Sequence, residues 1–172
     1  VICKDKNELN IVKTKKIIES SLRREYFWWG REWPYKQVEP RIIAEEYIST
    51  DSDELKDYKI HCFNGVPKII LVCSNRYSNE GLREDFFDIE WNHLSLKRPK
   101  YPNADIIPEH PKNLNLMLEL ATIISKGISF SRIDFYEVSG QVLFGEITFF
   151  PASGFEMFNS SEWDEKLGSW IN

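Results

Sequence analysis

The sequence predicts an α+β fold with mainly antiparallel pairing: two segments each fold back on a glycine-containing turn, and a stretch of helical periodicity separates them. The first hairpin runs over Asp57–Phe63, turns at Asn64-Gly65 and returns over 66–73. Asn-Gly suits a type I′ turn, in which both central residues need positive φ. The second runs over Phe130–Val138, turns around Ser139-Gly140 and returns over 142–150. Between them, residues 110–126 predict a helix. Pro111 fits its first turn, Leu114, Met117, Leu118, Ala121 and Ile124 form one apolar stripe, and Gly127 can close its end.

The flanking segments are read in the same way. Asp5 and Glu8 have capping-box spacing, and Ile11, Ile18 and Leu22 follow on one helical face. This predicts a helix over 5–24 with Lys13, Lys15 and Lys16 on its outer side. Residues 26–40, interrupted by Gly30 and Pro34, read as an aromatic loop. Its Trp28, Trp29 and Trp33 suit either stacking on a sugar or core packing. Residues 41–48 (RIIAEEYI) read as a strand ending in two acids. Residues 75–108 read as one long polar connection, and long loops in compact domains are often functional. Within it, 85–91 (DFFDIEW) reads as loop packed by its rings, and Arg76 and Arg83 offer forked donors for phosphate or carboxylate. A short helix is expected from Ser161.

Composition excludes several classes of function. A chain of 172 residues is one domain's worth and can bury a core without staples. Its net charge of −5 opposes nonspecific nucleic-acid binding but leaves room for a nucleotide, which needs only local cations. Cys3, Cys62 and Cys73, with His61, His93 and His110, are too scattered for a disulfide framework or a zinc site. No apolar run is long enough to span a bilayer, and no basic-headed apolar leader is present, so a cytoplasmic location is expected. The opening Val1-Ile2-Cys3-Lys4 reads like the middle of a strand, so a preceding segment is expected.

The second hairpin carries the chemistry. Period-2 alternation puts Arg132, Asp134 and Tyr136 on one face, and Phe144, Glu146 and Thr148 on one face of the return strand. A three-residue loop with Gly140 in a bulge would pair Val138 with Val142, Asp134 with Glu146 and Arg132 with Thr148. Two carboxylates so placed repel each other, and a hard cation such as Mg²⁺ removes the conflict. A two-residue turn would instead send the acids to opposite faces. The competing reading is a solvated polar face with an Arg–carboxylate contact. Asp57 and Lys59 also share a face, suiting either a ribose hydroxyl and a phosphate or a plain ion pair.

Read in order, Glu45-Glu46-Tyr47-Ile48, then Asp57-Tyr58-Lys59, then Arg132-x-Asp134, then Glu146-x-Thr148 with Pro151 beyond, resembles the ATP-grasp arrangement. The chain most resembles the TupA-like ATP-grasp family, associated with teichuronopeptide and other surface-polysaccharide biosynthesis. Its most specific stretches are IIAEEYI, DYKIHCFNGVPKII and SRIDFYEVSGQVLFGEITFFPASG.

The resemblance implies the carboxyl-terminal part of an ATP-grasp fold, with residues 1–48 ending the first subdomain and 49–172 forming the second. It implies ATP and Mg²⁺ as cofactors, and a carboxylate and an amine as substrates, such as an amino acid and a uronic acid or peptide. No nucleic-acid partner is expected. Glu45 would accept from the adenine amino group. Glu46, Tyr47 and Ile48 would line the adenine slot, with Asp57 near the ribose and Lys59 toward a phosphate. Asp134 and Glu146 would hold Mg²⁺, and Arg132 would stabilise charge on an acyl phosphate and tetrahedral intermediate. Thr148 stands where many ATP-grasp enzymes have Asn, as a weaker third ligand.

The upstream phosphate-binding lysine strand, the Gly-rich loop and the substrate domain of the family are not in this sequence. The chain alone is therefore expected to be inactive. Two alternatives remain at this stage: a nucleotide-binding module without turnover, and a polysaccharide glycosyltransferase that prefers a nucleotide sugar. A metal-dependent nuclease is set aside, since neither a lysine beside the acids nor a basic groove is visible in the sequence.

Overall fold

The computed structural model describes residues 1–48, 55–76, 78 and 80–171; the polar stretch after Ile48 thus lies outside the described residues. The chain divides into two compact units, Val1–Ser49 and Thr50–Asn172.

The first unit is helical and short of core. Its main helix, α1, spans Ile11–Leu22 and is capped by Asn10, whose side-chain oxygen accepts from the Lys13 backbone N–H at 2.9 Å. The helix predicted from Asp5 thus starts later. Asp5 instead caps a separate 3₁₀ turn over Lys6–Glu8, accepting from the Asn7 N–H at 2.8 Å. An Asn side chain competes for backbone donors and favours a cap over a helix interior, which explains the break at position 10. The segment read as an aromatic loop contains a single-turn helix, α2 (Phe27–Gly30), and a 3₁₀ turn over Trp33–Tyr35.

Residues 41–48 do not form the predicted strand; they carry no ladder pairing, and Ile43 is 81% exposed. Their residue types suit a strand, but a strand needs a neighbouring edge to bond to.

The second unit is built on a five-stranded antiparallel sheet in the order β3-β2-β1-β4-β5. The strands are β1 (Asp57–Phe63), β2 (Val66–Ser74), β3 (Arg83–Asp88), β4 (Phe130–Val138) and β5 (Gln141–Thr148). Helix α3 (Leu114–Ile124) covers one face. There Leu114, Met117 and Ala121 meet Tyr58, Ile60, Ile70, Ile133 and Phe135. The residues leading into this helix are tied to the sheet, because the Glu137 carboxylate accepts from the N–H groups of Lys112 and Asn113 at 3.1 and 2.8 Å. On the other face, Ile69, Leu71, Cys73 and Phe86 pack with Leu96 and with Trp163 and Leu167 of α4 (Ser161–Gly168). On β1 this face turns charged at Asp57 and Lys59, and β4 continues it with Arg132 and Asp134, while Phe63 and Phe130 keep its other end aromatic.

Both predicted turns form. Asn64 and Gly65 have φ of 50° and 78°, and Ser139 and Gly140 have 50° and 76°. β3 was not predicted. Two of its acids, Glu84 and Asp85, are buried; loop residues bond both oxygens of Asp85 but only one of Glu84, whose Oε2 is buried with no hydrogen-bond partner. The Asp85 carboxylate accepts from Asn103 and the Ala104 N–H at 2.8 and 3.0 Å and lies 2.9 Å from His93 Nε2; Glu84 accepts from Arg98 at 2.9 Å. An acidic strand looks solvated in sequence and becomes a buried one only when the chain beyond supplies its donors. No helix among the described residues is long and apolar enough to cross a membrane.

Candidate functional site

The charged face is assembled by the ladder. Lys59 of β1 lies opposite Asp134 of β4, Asp57 opposite Tyr136, and His61 opposite Arg132. On the far side of β4, Arg132 lies opposite Thr148 of β5, as the sequence led one to expect.

The route to that register differs from the expected one. Val138 pairs with Gln141, not Val142, so the turn is the two-residue kind. Unmodified, it would turn the two acids to opposite faces. A bulge corrects it: between the pairs Ile133–Ile147 and Phe135–Phe144, the two residues Gly145 and Glu146 oppose Asp134 alone. The extra residue returns Glu146 to the face of Asp134. Gly145 suits that position, because a Cβ there would lie a tight 3.1 Å from both the Asp134 carbonyl oxygen and Tyr136 Cε2. A glycine inside a strand pattern is a bulge signal, and it was available in the sequence.

The result is a line of alternating charges. Glu146 Oε1 accepts from Arg132 Nη2 at 2.9 Å. The same guanidinium forks onto Asp134, with Nε to Oδ1 at 2.7 Å and Nη2 to Oδ2 at 2.8 Å. Lys59 Nζ also bonds Asp134 Oδ2 and lies 3.8 Å from Asp57 Oδ2, which is paired in turn with Arg76. Three carboxylates and three cations thus alternate from β5 to the end of β2. Thr148 joins through its hydroxyl, 3.3 Å from Glu146 Oε1.

A lysine therefore does stand beside the acids. It comes from β1, a strand remote in sequence, which is why the local reading missed it. Arg76 meets a carboxylate of this chain, and Arg83 donates to the Asn103 carbonyl at 3.4 Å.

Burial is graded along the line. Asp134 is 2% exposed, whereas the Glu146 side chain is 63% exposed. Burial works against a charged Arg132, but the bonds and charge of Asp134, with Glu146 adding, outweigh it and hold its pKa above the ordinary value. Tyr136 is pushed up by burial, by the charge of Asp57 and by its hydrogen bond to Asp57, so it stays a neutral donor. Burial, with the Arg132 charge assisting, lowers His61 to about 3, and His61 Nδ1 is buried with no hydrogen-bond partner.

The adenine residues expected from sequence belong to the first unit. Glu45, Glu46 and Tyr47 are exposed and Ile48 is half-buried, and Lys4 Nζ stands 5.5 Å from the Tyr47 ring centroid.

Asp134, Glu146 and Thr148 form an all-oxygen donor set on one face, where Arg132 bridges both carboxylates and Lys59 also bonds Asp134. That chemistry fits Mg²⁺, which takes oxygen ligands and uses one or two carboxylates together with phosphates. Among the described residues no group of three or more His, Cys, Asp or Glu gathers as a self-sufficient metal cage.

The helices and the five-stranded antiparallel sheet agree with an α+β ATP-grasp fold. The chain belongs to the TupA-like ATP-grasp family, whose description, TupA-like ATPgrasp, matches residues 1–172. No curated protein and no solved structure matches it significantly. The family carries an ATP-dependent, ligase-type function and generally uses ATP and Mg²⁺.

Proposed function

We propose that this protein is an ATP- and Mg²⁺-dependent carboxylate–amine ligase that works through an acyl phosphate, in the biosynthesis of a cell-surface polysaccharide or teichuronopeptide. In this reading residues 1–48 close the first ATP-grasp subdomain and 49–172 form the second. The observation that carries the proposal is Arg132 bridging Asp134 and Glu146. Two carboxylates from neighbouring strands are held on one face although they repel, which a functional cation site explains better than stability does.

Asp134 and Glu146, with Thr148 in support, are the residues that would hold Mg²⁺, which supplies charge neutralisation at the β- and γ-phosphates. A substrate carboxylate oxygen attacks the γ-phosphorus, and the bond from that phosphorus to the ADP oxygen breaks. The amine then attacks the acyl carbon, loses a proton and displaces inorganic phosphate. Arg132, relieved of bridging to Glu146, would keep its fork on Asp134 and turn its remaining N–H groups to the oxygens of the acyl phosphate and of the tetrahedral intermediate. Lys59 bonds and orients Asp134 and is assigned to a phosphate. Asp57 is assigned to the ribose, and Glu45, Glu46, Tyr47 and Ile48 to the adenine. The chain's contribution is positioning and charge screening.

Calorimetric titration with ATP and Mg²⁺ tests this, using the wild type, Asp134→Asn and Glu146→Gln. Magnesium-dependent binding that disappears in both variants is the expected result. Binding that persists unchanged in folded Glu146→Gln would remove the metal assignment. Binding that depends on both acids with no ATP turnover, when carboxylate and amine mixtures are supplied, would leave a nucleotide-binding module.

A further inference from the structure

Residues 11–36 carry seven Lys and Arg against three Glu, in a chain whose net charge is −5. This basic stretch is also where the chain exposes its indoles. Trp28, Trp29 and Trp33 are 55%, 79% and 69% exposed, and neither α1 nor α2 contains a buried residue. Trp28 and Trp33 cluster about Phe27, and Trp29 stands apart from them. Phe27 lies 5.2 Å from Trp28 and 5.8 Å from Trp33, centroid to centroid. Two cations lie on that cluster, with Arg31 Cζ 4.5 Å from the Trp28 centroid and Lys36 Nζ 4.3 Å from that of Trp33. On α1, Lys13 and Lys16 are exposed, with Val12 and Ile17 exposed on the same outer side.

We infer that this aromatic and basic surface docks the protein peripherally on an anionic lipid leaflet. Indoles prefer the headgroup level of a bilayer, where an apolar body and a polar N–H are both accommodated, and Lys and Arg beside them meet lipid phosphates. Exposed rings at this density mark an interaction surface, and the charge around them selects an anionic partner. A sugar is the weaker fit. It would stack on ring faces, and the faces of Trp28 and Trp33 already carry Arg31 and Lys36. The inference does not depend on the ligase assignment, since no residue of the charged sheet takes part.

Co-sedimentation and indole fluorescence of the full chain with phosphatidylcholine vesicles, with and without phosphatidylglycerol, test it. Binding is expected only with phosphatidylglycerol, with a blue-shifted emission, and should weaken at high salt. Trp29→Ala should weaken binding several-fold. This ring makes no contact with another ring among the described residues, so the fold should tolerate its loss. The pair Lys13→Glu and Lys16→Glu should weaken binding by more than about tenfold. No binding of folded wild type to phosphatidylglycerol vesicles overturns the inference, as does full binding by both variants. Trp29-dependent binding to soluble polygalacturonate, with vesicles ignored, would also overturn it and assign the surface to an anionic glycan.

Discussion

The two hairpins of the sheet begin from the same local code and end in different roles. Each turns on a polar residue followed by Gly, both at positive φ, and each carries a register shift on its return strand, at Lys68 in β2 and at Gly145-Glu146 in β5. In the first hairpin the shift sends Ile70 and Val72 under α3 and Ile69, Leu71 and Cys73 to the opposite core, so nearly every residue is buried. Its turn is tied down as well, since the Asn64 N–H donates to the Ser129 carbonyl at 2.8 Å and its side chain to the Trp170 carbonyl at 2.9 Å. In the second hairpin the shift brings an acid to an acid, and β5 stays a half-exposed edge. A turn motif fixes that a chain reverses. A bulge decides which face each residue then serves, and so whether a hairpin becomes core or site.

Substitutions can break or sharpen this contrast. The largest effect belongs to the first hairpin. Ile60→Ala empties a fully buried position and should cost about 4 kcal/mol in urea unfolding. Asp134→Asn comes next, at about 3 kcal/mol, because Lys59 and Arg132 would lose a buried counter-charge. Equal stability of this variant and wild type would mean that the network is not a structural element at all. Gly145→Ala should cost about 2 kcal/mol, since a Cβ meets backbone at the bulge. It should also weaken nucleotide binding, by shifting Glu146; normal binding would show that the bulge is not needed to place the acid.

The pH dependence follows from His61. Its pKa is about 3 when folded and 6.5 ordinarily, so between these values the unfolded chain binds a proton that the folded chain refuses. Its contribution therefore falls as pH drops from 6.5 toward 3, by about 2 kcal/mol at pH 5. His61→Gln should flatten that slope, and an unchanged slope would place the titration elsewhere. Glu146→Gln should do least to stability, within about 0.5 kcal/mol, because its ion pair with Arg132 is open to solvent at one end. It is thus the cleaner probe of the proposed site: a large loss of binding with almost no loss of fold separates function from stability.

Much of this was legible beforehand. Both turns, the stripe of α3 and the face shared by Asp57 and Lys59 follow from periodicity and turn chemistry, which are short-range. The strand proposed over 41–48 and the loop proposed over 85–91 failed in opposite directions. The first has the right residue types but no ladder partner among the described residues; the second has buried acids to which Asn103, Ala104, His93 and Arg98 bring hydrogen-bond partners, with Glu84 Oε2 left without one. The site was half legible. Arg132, Asp134 and Glu146 stood out, but the hairpin register was assigned to the wrong bulge, and Lys59 could not be joined to Asp134 from sequence alone.

By itself the sequence determined the α+β class, the two reversals of the chain and the identity of the acids, because turn φ preferences and residue periodicity act over a few residues. Only the tertiary structure decided that β1 lies against β4, which places a lysine and an arginine on one aspartate across long separations in sequence. Charges of this kind are compensated through space, and space is set by strand order and by one bulge rather than by neighbours along the chain.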